Sequence, residues 1–455
     1  MAPGFRALPL PLAQLSLAAV LKCGQSFRWS IHPLALSPTP LDPSTPTHEY
    51  RLCLRDRVVC LRQTPDTLYW KHVLPGAAAD AAAEKEKEVE TLAWLRDYFQ
   101  LDVDLLDLYN DWSVRDPVFA RLRERFEGIR MLRQDPWENL VSFICSSNNN
   151  IARITKMVKG LCMHFSEPLI TLPLPVPSSV QGPPTPGPSL PEVSPQTETF
   201  YPFPPPSRLA SPDATAAMRS LGFGYRADYI QKTARMLHEA HESTASNSSH
   251  TREPAELWLE TLRTLPTDAA RTELLQFMGV GRKVADCVLL MSLDKREVIP
   301  VDTHVHQIAI KHYGAKGSLA AKQALSPKMY DEIAARLVGV WGEYAGWAHS
   351  VLFTADLKSF ASYGLATPSP TPMRIARTKS AVIVDEQADV LPTPPLPPTA
   401  ETVKKRKRMQ STVSSKVAEE MVVDTAVATL DGGVSLADRV KRRRRTVSAM
   451  TRGLG

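Results

Sequence analysis

Cysteine is scarce in this 455-residue chain and nowhere clustered. The six cysteines, Cys23, Cys53, Cys60, Cys145, Cys162 and Cys287, form no C-x-x-C pair and have no histidine partner at zinc-finger spacing. The simplest reading is a reduced intracellular protein without a structural zinc or an iron–sulfur cluster. Long apolar runs are also missing: none approaches the ~20 residues that a membrane helix requires, so no membrane partner is expected. The opening MAPGFRALPLPLAQLSLAAVLKCGQSFRW imitates a secretory leader, but Pro9 and Pro11 interrupt its apolar stretch and no clear small-residue cleavage site follows. It reads as folded protein. An excess of positive charge is lacking over most of the chain, despite a pI near 8.9. Residues 366–455 carry 16 Lys and Arg against 9 Asp and Glu, which leaves 38 against 39 for residues 1–365. The net charge of +6 therefore belongs to the tail, and nucleic-acid binding by the folded part has to be argued from motifs. No repeat of solenoid type is present.

What is abundant is proline, whose 39 residues crowd into a few stretches. Residues 49–73 alternate with period two at Tyr50, Leu52 and Leu54, turn at Arg55-Asp56-Arg57 and enter another β-rich run, which predicts an antiparallel sheet. The preceding SIHPLALSPTPLDPSTPTH reads as a proline-rich loop between strands. From about residue 88 the pattern becomes helical. Asp135-Pro136-Trp137-Glu138 is a helix start, with Asp as N-cap and Pro at the first position, ahead of a stripe at Leu140, Val141, Ile144 and Cys145. A second helix follows Asn148-Asn149-Asn150, with Ile151, Ile154, Val158, Leu161, Cys162 and Phe165 on one face. Residues 172–198 are too poor in apolar side chains to order themselves and read as a disordered inserted loop. Helical patterning resumes near Asp213 and lasts to about Phe360. The expected fold is α+β: an N-terminal antiparallel sheet domain over 1–110, an all-α region over 111–365, and a disordered basic tail over 366–455.

Residues 268–306 hold the chemistry. A helix ending near Met278 is broken by Gly279-Val280-Gly281, and a second begins at Arg282 with Val284, Val288 and Met291 on its inner face. Glycines suit so tight a joint, because positive φ and close packing exclude a Cβ. Such a hairpin aims free backbone N–H groups toward a phosphate. Taken alone it is also an ordinary αα-turn. Lys283 lies in the first turn of the second helix, where the macrodipole disfavours a cation and a lysine of lowered pKa would serve as a nucleophile. Asp302 stands at the N-cap of THVHQIAI, a place an ordinary capping aspartate would take. The three together are more specific than any one.

The runs MGVGRKVADC and VIPVDTHVHQIA resemble the helix-hairpin-helix glycosylase superfamily. KCGQSFRW at 22–29, LRQDPWENLVSFICSSNNNIARIT at 132–155, LGFGYRADYI at 221–230 and WGEYAGWAHSVLFTADL at 341–357 resemble its eukaryotic 8-oxoguanine DNA glycosylase/lyase branch. The resemblance spans roughly residues 8–360 outside the inserted loops. It implies a bifunctional DNA glycosylase/AP lyase acting on oxidised purines in duplex DNA, with Lys283 as nucleophile at C1′ and Asp302 as the carboxylate beside it. It also implies that Cys287 and Phe353 sandwich the flipped base and that Gly24 offers a backbone carbonyl to the N7 hydrogen peculiar to the lesion. Asn148, Arg153, Tyr225 and Arg226 would fill the gap left by flipping and contact the widowed cytosine, and His304 would contact a phosphate. Gly279 and Gly281 form the hairpin, and Asp356 is a pocket carboxylate. The plain alternatives are a turn glycine at 24, a helix cap at Asn148, core residues at Cys287, Phe353 and Tyr225, and an exposed helix charge at Asp356.

One position departs from the pattern: His349 stands where the family usually has a glutamine that reads the Watson–Crick edge. Two other readings stay open, a glycosylase for oxidised pyrimidines and a non-catalytic hairpin DNA-binding protein. The first commonly carries a four-cysteine cluster after the hairpin, where this chain has no cysteine beyond Cys287. No cofactor is expected, and a monovalent or divalent cation at the hairpin would not be required for chemistry. The expected partner is double-stranded DNA with 8-oxoguanine opposite cytosine, bound by a monomer. KKRKR at 404–408 and KRRRR at 441–445 resemble nuclear localisation signals, which leaves open a further mitochondrial product.

Overall fold

A computed structural model describes residues 4–34, 45–76, 80–175, 196–241, 252–317 and 325–365. The expected tail, both basic runs, and the centres of the two proline-rich loops lie outside them. The N-terminal part holds β1 (Arg6–Pro9), α1 (Leu17–Val20), β2 (Ser30–Pro33), β3 (His48–Cys53), β4 (Val58–Gln63) and β5 (Thr67–Val73). Helices follow as α2 (Ala81–Tyr98), α3 (Leu105–Arg115), α4 (Pro117–Leu122), α5 (Pro136–Ile144) and α6 (Ile151–Phe165). After β6 (Ile170–Pro173) and β7 (Thr197–Phe200) come α7 (Pro206–Ala210), α8 (Ala214–Ser220), α9 (Arg226–His241), α10 (Pro254–Thr261) and α11 (Thr267–Leu274). The last are α12 (Arg282–Ser292), α13 (Thr303–Tyr313), α14 (Pro327–Trp341) and α15 (Ala345–Asp356).

Strands β1 to β5 form an antiparallel sheet in the order β1-β5-β4-β3-β2. The leader-like segment contributes its edge, with Leu8 opposite Leu68. Period-two alternation sorts the side chains: Leu52, Val59, Leu61 and Trp70 enter the main core, while Cys53, Val58 and Cys60 join Phe5 and Phe200 in a small cluster on the other face. Strands β6 and β7 pair at the two ends of the long proline-rich insertion, with Ile170 opposite Phe200. The segment read as wholly loop is thus clasped where it enters and leaves.

The main core runs from the sheet through the helices without a break, so the two regions share one interior. A buried ion pair reinforces the junction. Arg28 donates to Glu138 at 2.6 and 2.9 Å and to the Cys53 carbonyl at 2.8 Å. Asp135 caps α5 as its sequence requires, accepting from Glu138 N at 2.9 Å. Glu138, however, turns to Arg28. Burial on α5 extends beyond the expected stripe to Trp137, Asn139, Ser142 and Phe143, because α5 is packed by α12, α10 and α9 and meets Phe27 at Phe143. Asn139 Nδ2 donates to Ser292 Oγ at 3.0 Å, which ties α5 to the end of α12.

Candidate active site

Helix α12 begins with no side-chain cap. Gly281 is its N-cap, in extended backbone (φ −90°, ψ 179°) with open space where a Cβ would stand. Positive φ therefore does not explain this glycine, contrary to the expectation for the hairpin. Gly279 does meet that expectation: its φ is +81°, and a Cβ there would fall 2.4 Å from the Tyr229 ring. The uncapped first turn leaves backbone N–H groups at the positive end of the helix, the arrangement that accepts a phosphate.

In the first turn of α12, Lys283 faces a cavity of about 950 Å³. Gly24, Cys287, Asp302, His304, His349, Phe353 and Asp356 line the same cavity, so residues more than three hundred positions apart converge there. Asp302 caps α13, its Oδ1 accepting from His304 N at 2.9 Å and Val305 N at 3.0 Å. Capping is thus how the fold holds this carboxylate at the cavity wall, and the plain role and the chemical one coincide. Lys283 Nζ lies 5.0 Å from the centre of the Phe143 ring. Burial favours its neutral amine, but Cys287 and Asp302 outweigh burial and hold Lys283 above the ordinary lysine range. The lowered pKa expected from its helix position is not what the site produces. Burial pushes the Cys287 thiol up to about 11, against the pull of Lys283.

Gly24 has φ +90°, and a Cβ there would come within 2.9 Å of Ile151 Cδ1. Its neighbour Gln25 pins the turn through three bonds. Its Nε2 donates to Arg130 O at 3.1 Å, its Oε1 accepts from Leu132 N at 2.9 Å, and its carbonyl accepts from Gln134 Nε2 at 2.7 Å. The Gly24 peptide is therefore fixed rather than pliable. Also in the lining, His349 is buried with both ring nitrogens unpartnered, the Gly346 carbonyl lying close but outside hydrogen-bonding geometry. Burial is the main cause that lowers its pKa to about 4. Phe353 packs near both His349 and His304, with ring centres 6.0 and 5.8 Å away. Asp356 is paired with Lys311 at 3.0 Å and His304 at 3.3 Å, which outweigh its partial burial and hold its carboxyl below the usual range.

Asn148, Arg153, Tyr225 and Arg226 do not line this cavity. Asn148 is exposed with φ 47°, and the helix cap next to it is Asn150, not Asn148. Arg226 is 3% exposed and donates to the carbonyls of Ser147 at 3.1 Å and Asn148 at 3.1 Å. It braces the loop that presents Asn148. Tyr225 is 46% exposed, under the Arg226 guanidinium, and Arg153 reaches the Gly222 carbonyl at 3.2 Å. Sequence reasoning passed over Phe143, Gln307 and Lys311, all of which line the cavity. Phe143 was concealed because the expected stripe assigned α5 only one buried face.

The family description "8-oxoguanine DNA glycosylase, N-terminal domain" matches residues 7–140, and "HhH-GPD superfamily base excision DNA repair protein" matches 141–329. An N-glycosylase/DNA lyase of Saccharomyces cerevisiae is 33% identical over 406 residues, covering 85% of this chain and 93% of the relative. The chain belongs to the 8-oxoguanine DNA glycosylase/lyase family. Another N-glycosylase/DNA lyase of this family, from Arabidopsis thaliana, is 34% identical and covers 78% of this chain and 81% of its own. Among solved structures, the Clostridium acetobutylicum 8-oxoguanine glycosylase/lyase in complex with DNA containing cytosine opposite 8-oxoG is similar. It has a TM-score of 0.52 at 25% identity, over 75% of this chain and 91% of that one. Within the 8-oxoguanine DNA glycosylase/lyase family, this chain is an N-glycosylase/DNA lyase with an N-terminal sheet domain and a helical region behind it.

Proposed function

We propose that this chain excises 8-oxoguanine and related oxidised purines opposite cytosine from duplex DNA, acting as a monomer, and then cuts the strand. The observation that carries the reading is the convergence of Lys283, Asp302 and the pinned Gly24 peptide on one cavity. A base inside a duplex is out of reach, so its nucleotide must first be flipped into that cavity. There the Gly24 carbonyl accepts a hydrogen bond from N7–H of the oxidised base. Guanine offers only an acceptor at N7, which leaves the carbonyl unpaired and penalises the wrong base. Cys287 and Phe353 flank the base.

The ammonium of Lys283 first gives up a proton to solvent, and the departing base takes one up. Its lone pair then forms the C1′–N bond while the C1′–N9 bond breaks and its electron pair leaves with the base. Asp302 stabilises the positive charge that develops on the sugar. Ring opening and loss of the second amine proton give the protonated imine. Loss of a C2′ proton then expels the 3′-phosphate by β-elimination. On the rim, exposed Asn148 and Tyr225, with Arg153 and the brace Arg226, fill the gap and meet the widowed cytosine. His304 and the hairpin glycines Gly279 and Gly281 lie toward the backbone phosphates. The basic runs at 404–408 and 441–445 direct the protein to the nucleus.

Borohydride trapping on an 8-oxoguanine:cytosine duplex tests the chemistry. Wild type forms the covalent adduct. Lys283→Gln forms none and excises nothing while still binding damaged DNA. Normal excision by Lys283→Gln would remove Lys283 from the reaction.

A further inference from the structure

One turn beyond Lys283 on α12, Asp286, which does not line the cavity, is 1% exposed and collects three donors. Arg271 Nε reaches its Oδ1 at 2.7 Å, and Arg282 Nε reaches Oδ2 at 3.1 Å. The third donor is the hydroxyl of Tyr330, at 2.7 Å from Oδ2. Tyr330 lies in the first turn of α14, and its ring carries the Arg282 guanidinium 5.0 Å from its centre. The same hydroxyl accepts from the backbone N–H of Val301 at 3.0 Å. Val301 directly precedes Asp302, and Pro300 before it lines the cavity. One oxygen thus touches the helix of the nucleophile and the backbone next to the carboxylate.

We propose that Tyr330 is a positioning residue, whose hydroxyl sets the Asp302 backbone against the helix that bears Lys283. The inference rests on the roles given above to those two residues. A tyrosine hydroxyl has one proton to donate and lone pairs to accept with, and both capacities are in use here. Burial and the Asp286 carboxylate raise the phenol pKa further, so it stays a donor at every working pH. Removing the oxygen leaves a buried N–H at Val301 without a partner and deprives Asp286 of a neutral donor. Residues 300–302 must then shift to find another acceptor, and the separation of Asp302 from Lys283 shifts with them. Tyr330 itself does not line the cavity, so its hydroxyl makes no contact with a base held there.

Tyr330→Phe in the full chain isolates the oxygen, because the ring under Arg282 remains. Tyr313→Phe is the control, since Tyr313, half-buried where Tyr330 is buried, likewise donates its hydroxyl to a carboxylate, Asp116 Oδ2 at 2.7 Å, with Trp341 Nε1 on the same oxygen at 3.1 Å. Single-turnover excision on an 8-oxoguanine:cytosine duplex, the Kd for that duplex and the melting transition are measured for both, below either transition. Tyr330→Phe is expected to slow the single-turnover step by about tenfold or more with Kd unchanged, since small misplacements of reacting groups are costly. Tyr313→Phe is expected to lower the melting transition without slowing that step. An unchanged rate in Tyr330→Phe, or equal slowing in both variants, overturns the proposal. Lys283→Gln separates the levels: if it excises normally the underlying assignment fails, whereas an inactive Lys283→Gln beside a full-rate Tyr330→Phe removes the positioning role alone.

Discussion

Replacing His349 by Gln exchanges a titrating side chain for one that does not titrate, at a buried position with no hydrogen-bond partner for either ring nitrogen. An unfolded histidine has a pKa of about 6.5, and in the fold His349 is lowered to about 4. The groups facing it pull in opposite directions. Asp302 and the Gly346 carbonyl favour the imidazolium, Lys283 opposes it, and burial exceeds them all. Because the folded value lies below the unfolded one, the stability it supports is complete above about pH 6.5 and drains away as pH falls toward 4. Between pH 7.5 and pH 5 the linkage comes to about 2 kcal/mol, a large share of the roughly 5–15 kcal/mol of a typical domain. Urea denaturation at the two pH values should therefore show wild type losing about 2 kcal/mol more than His349→Gln, other acid-sensitive groups being common to both. Equal losses would mean that His349 titrates near its ordinary value and that the cavity wall is wetter than its burial indicates. The same shift answers a question raised by the sequence. With an ordinary pKa, His349 would lose its capacity to accept a hydrogen bond within mildly acidic solution, whereas at about 4 it stays neutral. Excision profiles of wild type and His349→Gln should accordingly run parallel from neutral pH down to about pH 5.

Gly24→Ala should cost about 1–2 kcal/mol, from positive φ and the contact with Ile151, and should reduce discrimination between oxidised and normal guanine. Denaturation and paired excision assays check it, and adding Ile151→Ala should recover only the contact part. Asp302→Asn should keep the α13 cap and the melting transition yet slow single-turnover excision, while Asp302→Ala should lose about 1 kcal/mol of stability as well. Equal rates in wild type and Asp302→Asn would show that the charge is not used. Deleting residues 366–455 should leave excision nearly unchanged at moderate salt while weakening salt-dependent nonspecific binding and nuclear accumulation, measured by titration at several salt concentrations and by imaging.

The sheet, the α5 start and the hairpin were legible because each rests on local rules: alternation at Tyr50 and Leu52, Asp135 before Pro136, and Gly279 at a left-handed position. Lys283 and Asp302 were legible as residue types at fixed spacing. What stayed hidden depends on side chains brought together from afar. The pKa of Lys283 was read from its helix position alone, but Cys287, one turn along the same helix, and Asp302 together outweigh burial, and the charge of Asp302 enters only once α13 faces α12. The titration of His349 was likewise hidden, since burial is a property of the packed wall. Gly281 illustrates the reverse error: it follows the glycine pattern, yet its backbone is one any residue adopts.

The clasp formed by β6 and β7 has a use of its own. Its register, with Pro173 opposite Thr197, brings together the two ends of everything between them. Closure entropy rises only slowly with loop length, roughly 0.6 kcal/mol for each doubling. The cost of closing the clasp therefore depends little on the length of the segment between the two strands. A clasp of this kind is a natural port for engineering, since an affinity handle, a fluorophore or a guest domain added between its two strands lengthens a loop whose ends β6 and β7 already hold together.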